Sequence, residues 1–136
     1  MRYDTKIAIV VRDDLATWQK LNVASFLAGG LVGTAPELAG EPYRDGSGRF
    51  YGPLVRQPIL IFAASAAELT AMLQRAQQRG VRPHLYTKDL FATGNDMDNR
   101  AAVAAVATDA LDLVGLGLHA ERKEIDKITK GLKLHG

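Results

Sequence analysis

The 136-residue sequence predicts one α/β domain over residues 1–136, a three-layer α/β/α sandwich with a mixed, mostly parallel four-stranded sheet. Three observations predict this class. Short apolar, β-branched runs recur along the chain, segments with helical periodicity alternate with them, and no internal repeat or low-complexity stretch interrupts the order. The order strand-helix-loop-strand-helix-strand-helix-strand-helix is typical of a sheet covered by helices on both faces.

The first predicted strand is Lys6–Val11, a continuous apolar run of the kind that is buried on both faces. A helix from Thr17 to Val32 follows, because apolar side chains recur along it at spacings of three to five residues and Thr17 can cap it.

Residues 34–57 form an unusually long connection that is rich in glycine and proline. Asp45-Gly46-Ser47-Gly48 is a turn signal, which predicts a hairpin tip between Pro42-Tyr43 and Phe50-Tyr51. Because connections of this length in a compact domain are often functional, we expect this loop to cover or gate a site.

The rest of the chain continues the alternation. Ser65 and Glu68 form a capping box that opens a helix running to about Arg79, and Gly80 ends it. Pro83 favours an edge or bulged position for the third strand. The predicted strands are Pro58–Ala63, Val81–Tyr86 and Leu111–Leu118; the later helices are Asp98–Thr108 and Ala120–Lys130; and residues 132–134 are expected to dock afterwards.

Composition narrows the function classes. The chain carries 17 basic and 15 acidic residues for a net charge of +2, with 47% apolar residues, which argues against disorder and against a nucleic-acid-coating charge. Zero cysteines exclude a disulfide framework and a thiol nucleophile. No apolar run approaches the ~20 residues of a membrane span, and no signal-peptide pattern opens the chain. We therefore expect a cytoplasmic protein with no membrane partner.

Two patterns that suggest cofactors have simpler explanations. Gly115 and Gly117 resemble part of a phosphate-binding loop, but that motif belongs at the first strand-helix turn and needs an acidic residue ~20 positions later. Close packing of a helix on the sheet is the preferred explanation. The three histidines, His84, His119 and His135, lack metal-ligand spacing, so we expect no metal and no cofactor.

Polar residues at strand ends indicate the candidate site, because ligands of doubly wound sheets bind outside the carboxyl ends of the strands. If the first and third strands are parallel, Lys20, Asp89 and Thr93 converge on one edge. A lysine, a carboxylate and a hydroxyl can orient a water molecule and stabilise an oxyanion. Four further residues are predicted to bind ligand there: Arg12, Asp13, Asp14 and Lys88. The alternative explanation is a surface salt bridge with turn capping.

Three stretches together resemble the peptidyl-tRNA hydrolase II family. They are the opening strand Lys6–Leu15 with its Arg12-Asp13-Asp14-Leu15 end, the segment Leu85–Thr93 with Asp89 and Thr93, and the closing Leu113–Gly117 strand followed by Glu124–Leu134 with its Ile-Asp-Lys-Ile-Thr helix and Leu-Lys-Leu end. The resemblance covers most of the chain apart from residues 34–57 and 94–108.

The resemblance implies a mixed four-stranded sheet flanked by helices, a homodimer, and metal-free hydrolysis of the ester between a peptide and tRNA. Lys20, Asp89 and Thr93 match the family's active-site Lys, Asp and Thr. The family's first helix carries Gly-Lys-x-x-x-Gln-x-x-His, whereas Gln19 precedes Lys20 here, and Ala24 and Leu27 occupy the Gln and His places. We therefore expect a divergent branch that binds a ligand at this edge; tRNA ester hydrolysis is the alternative, and the expected partners are a second copy and either tRNA or a small molecule.

Overall fold

The computed structural model describes residues 3–136. One mixed five-stranded sheet, a separate two-stranded hairpin and four α-helices make up the fold. In chain order the elements are β1 Thr5–Arg12, α1 Thr17–Thr34, β2 Tyr43–Arg44, β3 Phe50–Tyr51, β4 Ile59–Ala64, α2 Ala66–Gln78, β5 His84–Thr87, α3 Asp96–Ala104, β6 Leu113–Glu121, α4 Arg122–Ile128 and β7 Lys133–Leu134.

The main sheet has the order β5-β6-β1-β4-β7, which corrects the predicted sheet in two respects. It has five strands, because Lys133–Leu134 pairs with Ala63 and Phe62 as a short edge strand. It is also not mostly parallel: β1 runs parallel to β4, but β6 lies between β1 and β5 and is antiparallel to both. The prediction of a mixed sheet is confirmed.

Helices pack on both faces of the sheet because β1 is apolar on both faces. Ile7, Ile9 and Val11 face the core that α1 covers. Ala8 and Val10 face the opposite core, to which α2 and α4 contribute. Each of these β1 side chains is at most 1% exposed, which confirms the prediction of a strand buried on both faces.

The edge strand β5 begins later than predicted. Pro83 has no N–H to donate to a ladder, so pairing starts at His84, where β5 joins β6. The register shifts between Tyr86 and Thr87, and β5 is an edge strand, so both predicted features are present.

Several predicted boundaries also move. β6 continues to Glu121, so the last helix begins at Arg122 rather than at Ala120. The alanine-rich helix begins earlier than predicted, because the Asn95 side chain accepts from the Asp98 N–H and caps it. The Ser65–Glu68 capping box is present in both directions, as predicted.

Residues 41–54 form a projecting β-hairpin that we call the arm. Tyr43 pairs with Tyr51 and Arg44 with Phe50, as the turn signal predicts. The Asp45 carboxylate accepts from the Ser47 N–H and from the Tyr51 hydroxyl, which holds the tip. Both short strands of the arm are exposed.

Candidate functional site

The candidate site lies at the edge of the sheet where β1 and β5 both end, one on each side of β6. Both strands are antiparallel to β6, so they run in the same direction, as the sequence argument requires. Lys88 N–H donates to the Asp112 carbonyl at 2.9 Å, which fastens the end of β5 to the residue before β6.

Arg12 connects the segments at this edge. Its Nε donates to Asp14 Oδ1 at 2.7 Å, and its Nη1 donates to Asp112 Oδ1 at 2.7 Å and to the Leu113 carbonyl at 3.2 Å. The guanidinium is buried, and these bonds occupy it. Arg12 was predicted to bind ligand, but its contacts here are with the protein itself.

The neighbouring carboxylates differ in their surroundings. The hydrogen bond from Arg12 lowers the pKa of Asp14 against the opposing effect of desolvation, and the charge of Lys88 lowers it further. Asp13 is exposed, and its N–H donates to the Ala64 carbonyl at 2.9 Å, joining the ends of β1 and β4.

The three residues predicted to be catalytic are not brought into one pocket. Lys20 Nζ lies 3.1 Å from His135 Nε2, in an apolar depression of about 320 Å³ between α1 and β4. Thr93 lies on the other side of α1, in a groove. Asp89 is exposed in the 3-10 segment Lys88–Ala92, between β5 and Thr93.

The groove runs between α1 and α3 and is the main concavity beside the strand ends. Two cavities of about 440 and 370 Å³ share walls and form one continuous groove. The residues common to both cavities are Phe26, Tyr86, Leu90, Asp96 and Asn99. Volumes of this size are typical of small-molecule sites.

Aromatic rings form one wall of the groove. Tyr86 packs against Phe91 with ring centroids 5.2 Å apart and against Phe26 at 5.7 Å. Trp18 meets Phe91 edge-on at 5.8 Å. Burial raises the pKa of Tyr86, so its phenol stays neutral at physiological pH. The connected rings are inclined to one another by 47° to 68° and offer an apolar surface that water solvates poorly.

A few polar groups interrupt this apolar wall. The Thr93 hydroxyl donates to the Leu90 carbonyl at 2.9 Å, and the Asn99 side chain contacts the same hydroxyl. Asn22 lines the groove from α1, and Asp96 and Arg100 form an ion pair at its α3 side. Amides and a hydroxyl beside aromatic rings can fix the edge of a flat ligand by hydrogen bonds.

His84 lines the end of the groove near the last turn of α1. The Thr34 hydroxyl gives its proton to the Gly30 carbonyl at 2.9 Å, so His84 Nε2, 2.9 Å away, must donate to Thr34 Oγ1. His84 Nδ1 is then an acceptor, and it is buried with no hydrogen-bond partner among residues 3–136. Burial is the main cause that lowers the pKa of His84, and the positive charge of Arg82 lowers it further. The hydrogen bond to the Gly30 backbone raises the pKa but does not outweigh these two effects.

Reasoning from the sequence missed most of this groove. It proposed Thr93, which lines the groove, but gave no role to Asn22 or Asn99, which belong to two helices that are far apart in sequence. The signal that was available was the aromatic content of α1 and of the segment after β5. In the described part of the chain, no group of three or more His, Asp or Glu side chains is placed to hold a metal ion, and no helix is long and apolar enough to cross a membrane.

The chain is similar to proteins that are described as having an unknown function. The model of a family described as a protein of unknown function (DUF2000) matches residues 5–136. A solved structure of a protein of unknown function from Agrobacterium tumefaciens strain C58 superposes with a TM-score of 0.96 at 48% identity, covering 99% of this chain and 100% of that chain. Among curated proteins, none matches.

Proposed function

Because the chain belongs to the DUF2000 family, whose description states no activity, we propose from the groove that this protein binds a small ligand with a flat heterocyclic ring, such as a nucleobase. The observation that carries the proposal is the juxtaposition of the Tyr86–Phe91–Trp18 rings with the Asn99 amide in one groove. Aromatic side chains stack with bases, and asparagine amides pair with their polar edges.

Burial of a ring against this wall supplies the affinity. Removing apolar area from water contributes about 25 cal/mol per Å², so a covered ring face is worth a few kcal/mol before the cost of association. Asn22 and Asn99 add specificity, because a ring without donors and acceptors leaves their amides unpaired in the groove.

The single tryptophan makes this proposal directly testable, because Trp18 lines the groove. Adenosine and cytidine are titrated separately into the protein, with N-acetyl-tryptophanamide as the reference fluorophore. At least one nucleoside is expected to change the Trp18 fluorescence, with saturation below about 1 mM, and to raise the melting temperature. Asn99→Ala is expected to weaken that binding at least tenfold, which corresponds to ~1.4 kcal/mol.

The matched control is Gln74→Ala, which removes an exposed amide from α2 on the opposite face of the sheet. This variant should bind like the unchanged protein. Failure of both nucleosides to alter fluorescence and melting at 1 mM would contradict the proposal, as would equal effects of Asn99→Ala and Gln74→Ala.

A second candidate function is peptidyl-tRNA hydrolysis, which the resemblance to the peptidyl-tRNA hydrolase II family and to that family's arrangement of layers implies. The observation that favours it is that β1 and β5 are both antiparallel to β6 and so end at the same edge of the sheet, where Asp89 and Thr93 follow β5. In this proposal Asp89 orients water and Thr93 hydrogen-bonds the scissile region. Lys20 lies on the other side of α1 beside His135, so it must swing away from His135 to hold a phosphate or the oxyanion. The nucleobase groove would then receive the terminal base of the tRNA.

Single-turnover cleavage of diacetyl-lysyl-tRNA tests this candidate. If the assignment holds, the protein cleaves the ester, Asp89→Ala lowers the rate at least 100-fold, and Asp109→Ala, an exposed carboxylate distant in sequence, leaves the rate unchanged. Cleavage that persists in Asp89→Ala would refute these roles, and a folded protein that binds a nucleoside without cleaving the ester would leave the binding function alone.

A further inference from the structure

A second cavity, of about 310 Å³, lies at the edge of the sheet where β1 and β4 begin and β6 ends. We call it the amino-edge cavity. It shares no residue with the groove between α1 and α3, so a ligand bound here is independent of the function proposed above. Its walls are formed by Tyr3, residues 5–7, Gln57, Pro58, Leu60 and Arg122.

Gln57 is a buried wall residue of this cavity with one polar atom unused. Only 7% of the residue is exposed. Its Nε2 donates to the carbonyl oxygen and to the hydroxyl oxygen of Thr5, each at 3.2 Å, so the amide nitrogen is engaged. Its Oε1 accepts no hydrogen bond from residues 3–136 and is not sealed off by them, so this oxygen is open to the cavity.

The contacts with Thr5 fix the orientation of the Gln57 amide. The Thr5 carbonyl can only accept a hydrogen bond, so the amide must turn its nitrogen towards Thr5 and its oxygen away. The Thr5 hydroxyl also lies 3.0 Å from His119 Nε2 on β6, which holds the hydroxyl in place. The cavity therefore presents a positioned acceptor that a ligand with an O–H donor can satisfy.

Arg122 supplies positive charge to the same cavity. It is half-buried, and its backbone N–H donates to the Asp4 carbonyl at 3.0 Å, which fixes the start of α4. Its Nη1 donates to the Tyr3 carbonyl at 3.4 Å, and the guanidinium forms no ion pair with a carboxylate of residues 3–136. Most of its donors are therefore free for a ligand, and their planar arrangement matches a carboxylate.

The other cation in the walls is already neutralised. Lys6 Nζ lies 2.5 Å from Asp126 Oδ1. Asp4, Arg56 and Glu121 are neighbours of wall residues in the chain, but they do not line the cavity. One uncompensated guanidinium thus faces the cavity, which favours an anion with a single charge, because a second charge would lose water without gaining a partner.

The remaining walls are apolar. Ile7 is 1% exposed and belongs to the core under α1, and Pro58 and Leu60 continue the apolar surface from the start of β4. An apolar surface beside a few positioned polar groups is the usual composition of a small-molecule site. The ligand should therefore carry a short hydrocarbon portion as well as its polar groups.

We propose that the amino-edge cavity binds a small hydroxycarboxylic acid. The carboxylate accepts hydrogen bonds from the Arg122 guanidinium, the hydroxyl donates to Gln57 Oε1, and the hydrocarbon portion lies against Pro58 and Leu60. An acid without the hydroxyl leaves Gln57 Oε1 without a donor from the ligand, and a neutral analogue leaves the guanidinium unpaired.

Heteronuclear NMR of the isotope-labelled full chain tests the ligand class. The probes are lactate and 3-hydroxybutyrate; propionate and butyrate are the matched acids without a hydroxyl, and lactamide is the matched neutral compound. We expect at least one hydroxy acid to shift the Ile7 and Leu60 amide signals. Its matched acid should bind about threefold or more weakly, and lactamide about tenfold or more weakly than lactate, because charge-assisted hydrogen bonds are the stronger ones.

Two variants test the residues. Arg122→Met should weaken binding of the hydroxy acid about tenfold or more, whereas Lys123→Met, which removes an exposed charge from the next position of α4, should leave it unchanged. Gln57→Met should make a hydroxy acid and its matched acid bind alike. Circular dichroism establishes that this buried variant folds; if it does not, the comparison between the matched acids still decides the role of the amide.

Four results would overturn the proposal. The first is that neither hydroxy acid shifts these signals at about 50 mM, well above the millimolar range expected for so small a ligand. The second is equal affinity for acids with and without the hydroxyl. The third is equal weakening by Arg122→Met and Lys123→Met, which would show a response to net charge alone. The fourth is that inorganic phosphate binds as tightly as the hydroxy acid, which would show a site for any anion.

Discussion

Arg12 shows at the scale of one residue how a polar group at a strand end is used to organise the fold. Its guanidinium is only 8% exposed, and it binds Asp14, Asp112 and the Leu113 carbonyl. A buried cation requires such partners, because leaving it unpaired costs several kcal/mol. The arginine therefore sets the spacing of the loops after β1 and before β6.

Replacing Arg12 by methionine is expected to destabilise the protein. Two exposed carboxylates and one carbonyl lose their charged donor, which costs about 1–3 kcal/mol, with the lower end favoured because water can solvate the carboxylates. Urea denaturation of Arg12→Met measures this difference. Arg49→Met at the tip of the arm is the control, and a loss at Arg12 no greater than at Arg49 would contradict the bridging role.

His84 is expected to make stability depend on pH. In the folded state, burial and then the charge of Arg82 lower its pKa below the ordinary 6.5, and the hydrogen bond to the Gly30 backbone only partly offsets them. Above about pH 7 the ring is neutral in both states and the dependence is absent. As the pH falls through 6.5, the unfolded chain takes up the proton first, so the free energy of unfolding decreases until the folded-state pKa is passed.

Urea denaturation at pH values from 8 to 5 measures this dependence, with His84→Gln as the comparison because its amide can still donate to Thr34. The decline in stability towards pH 5 should be shallower in the variant. Parallel curves for the two proteins would show that His84 does not titrate differently in the folded and unfolded states.

At the scale of one element, the position of helix α1 on the sheet depends on two glycines of β6. A Cβ at Gly115 would lie 2.4 Å from Val23 Cγ1, and one at Gly117 would lie 3.3 Å from atoms of both Leu27 and Leu31. The preferred explanation of the Gly115–Gly117 pattern, helix packing rather than phosphate binding, is thereby confirmed. These glycines let α1 lie close to the sheet and so set the position of Trp18 and Asn22 in the groove.

Gly115→Ala should therefore destabilise the protein by about 1–3 kcal/mol, the usual cost of overpacking a core. Gly33→Ala is the matched control in α1, since its Cβ would meet no atom within 4 Å, and alanine there should be neutral or stabilising by up to ~1 kcal/mol. Thermal or urea unfolding distinguishes the two. A Gly115→Ala variant as stable as the unchanged protein would mean that α1 shifts without cost.

At the scale of the whole molecule, the core and the arm are separate structural units. Helices cover the central strand on both faces, whereas the arm joins the body through Leu38, Val55 and the bridge between Ala39 and Val55. The free energy of unfolding of one chain should therefore come almost entirely from the two cores.

Shortening the arm tests this separation. Replacing residues 42–52 by a Gly-Ser-Gly linker that keeps the Ala39–Val55 bridge should change the unfolding free energy by less than about 0.5 kcal/mol, as for other surface changes. Differential scanning calorimetry measures the effect. A loss of several degrees in melting temperature would show that the arm stabilises the single chain.

The sequence by itself determined the elements that local chemistry specifies. The apolar run of β1, the Ser65 capping box and the hairpin turn at Asp45–Gly48 each depend on residues close together in the chain, and each was predicted in place. Sequence reasoning also proposed Thr93 as a site residue, because a polar residue after an apolar strand is a local signal; its role stays a prediction.

Only the tertiary structure decided the strand order and the groove. The position of β6 beside β1 and the pairing of Lys133–Leu134 with β4 depend on contacts between residues 70 or more positions apart, which no local pattern specifies. For the same reason Lys20 and Thr93 lie on opposite sides of α1, and Asn22 and Asn99 meet in one groove. Side chains at short spacings on one helix can point in different directions, and which direction faces a cavity is set by how that helix packs on the sheet.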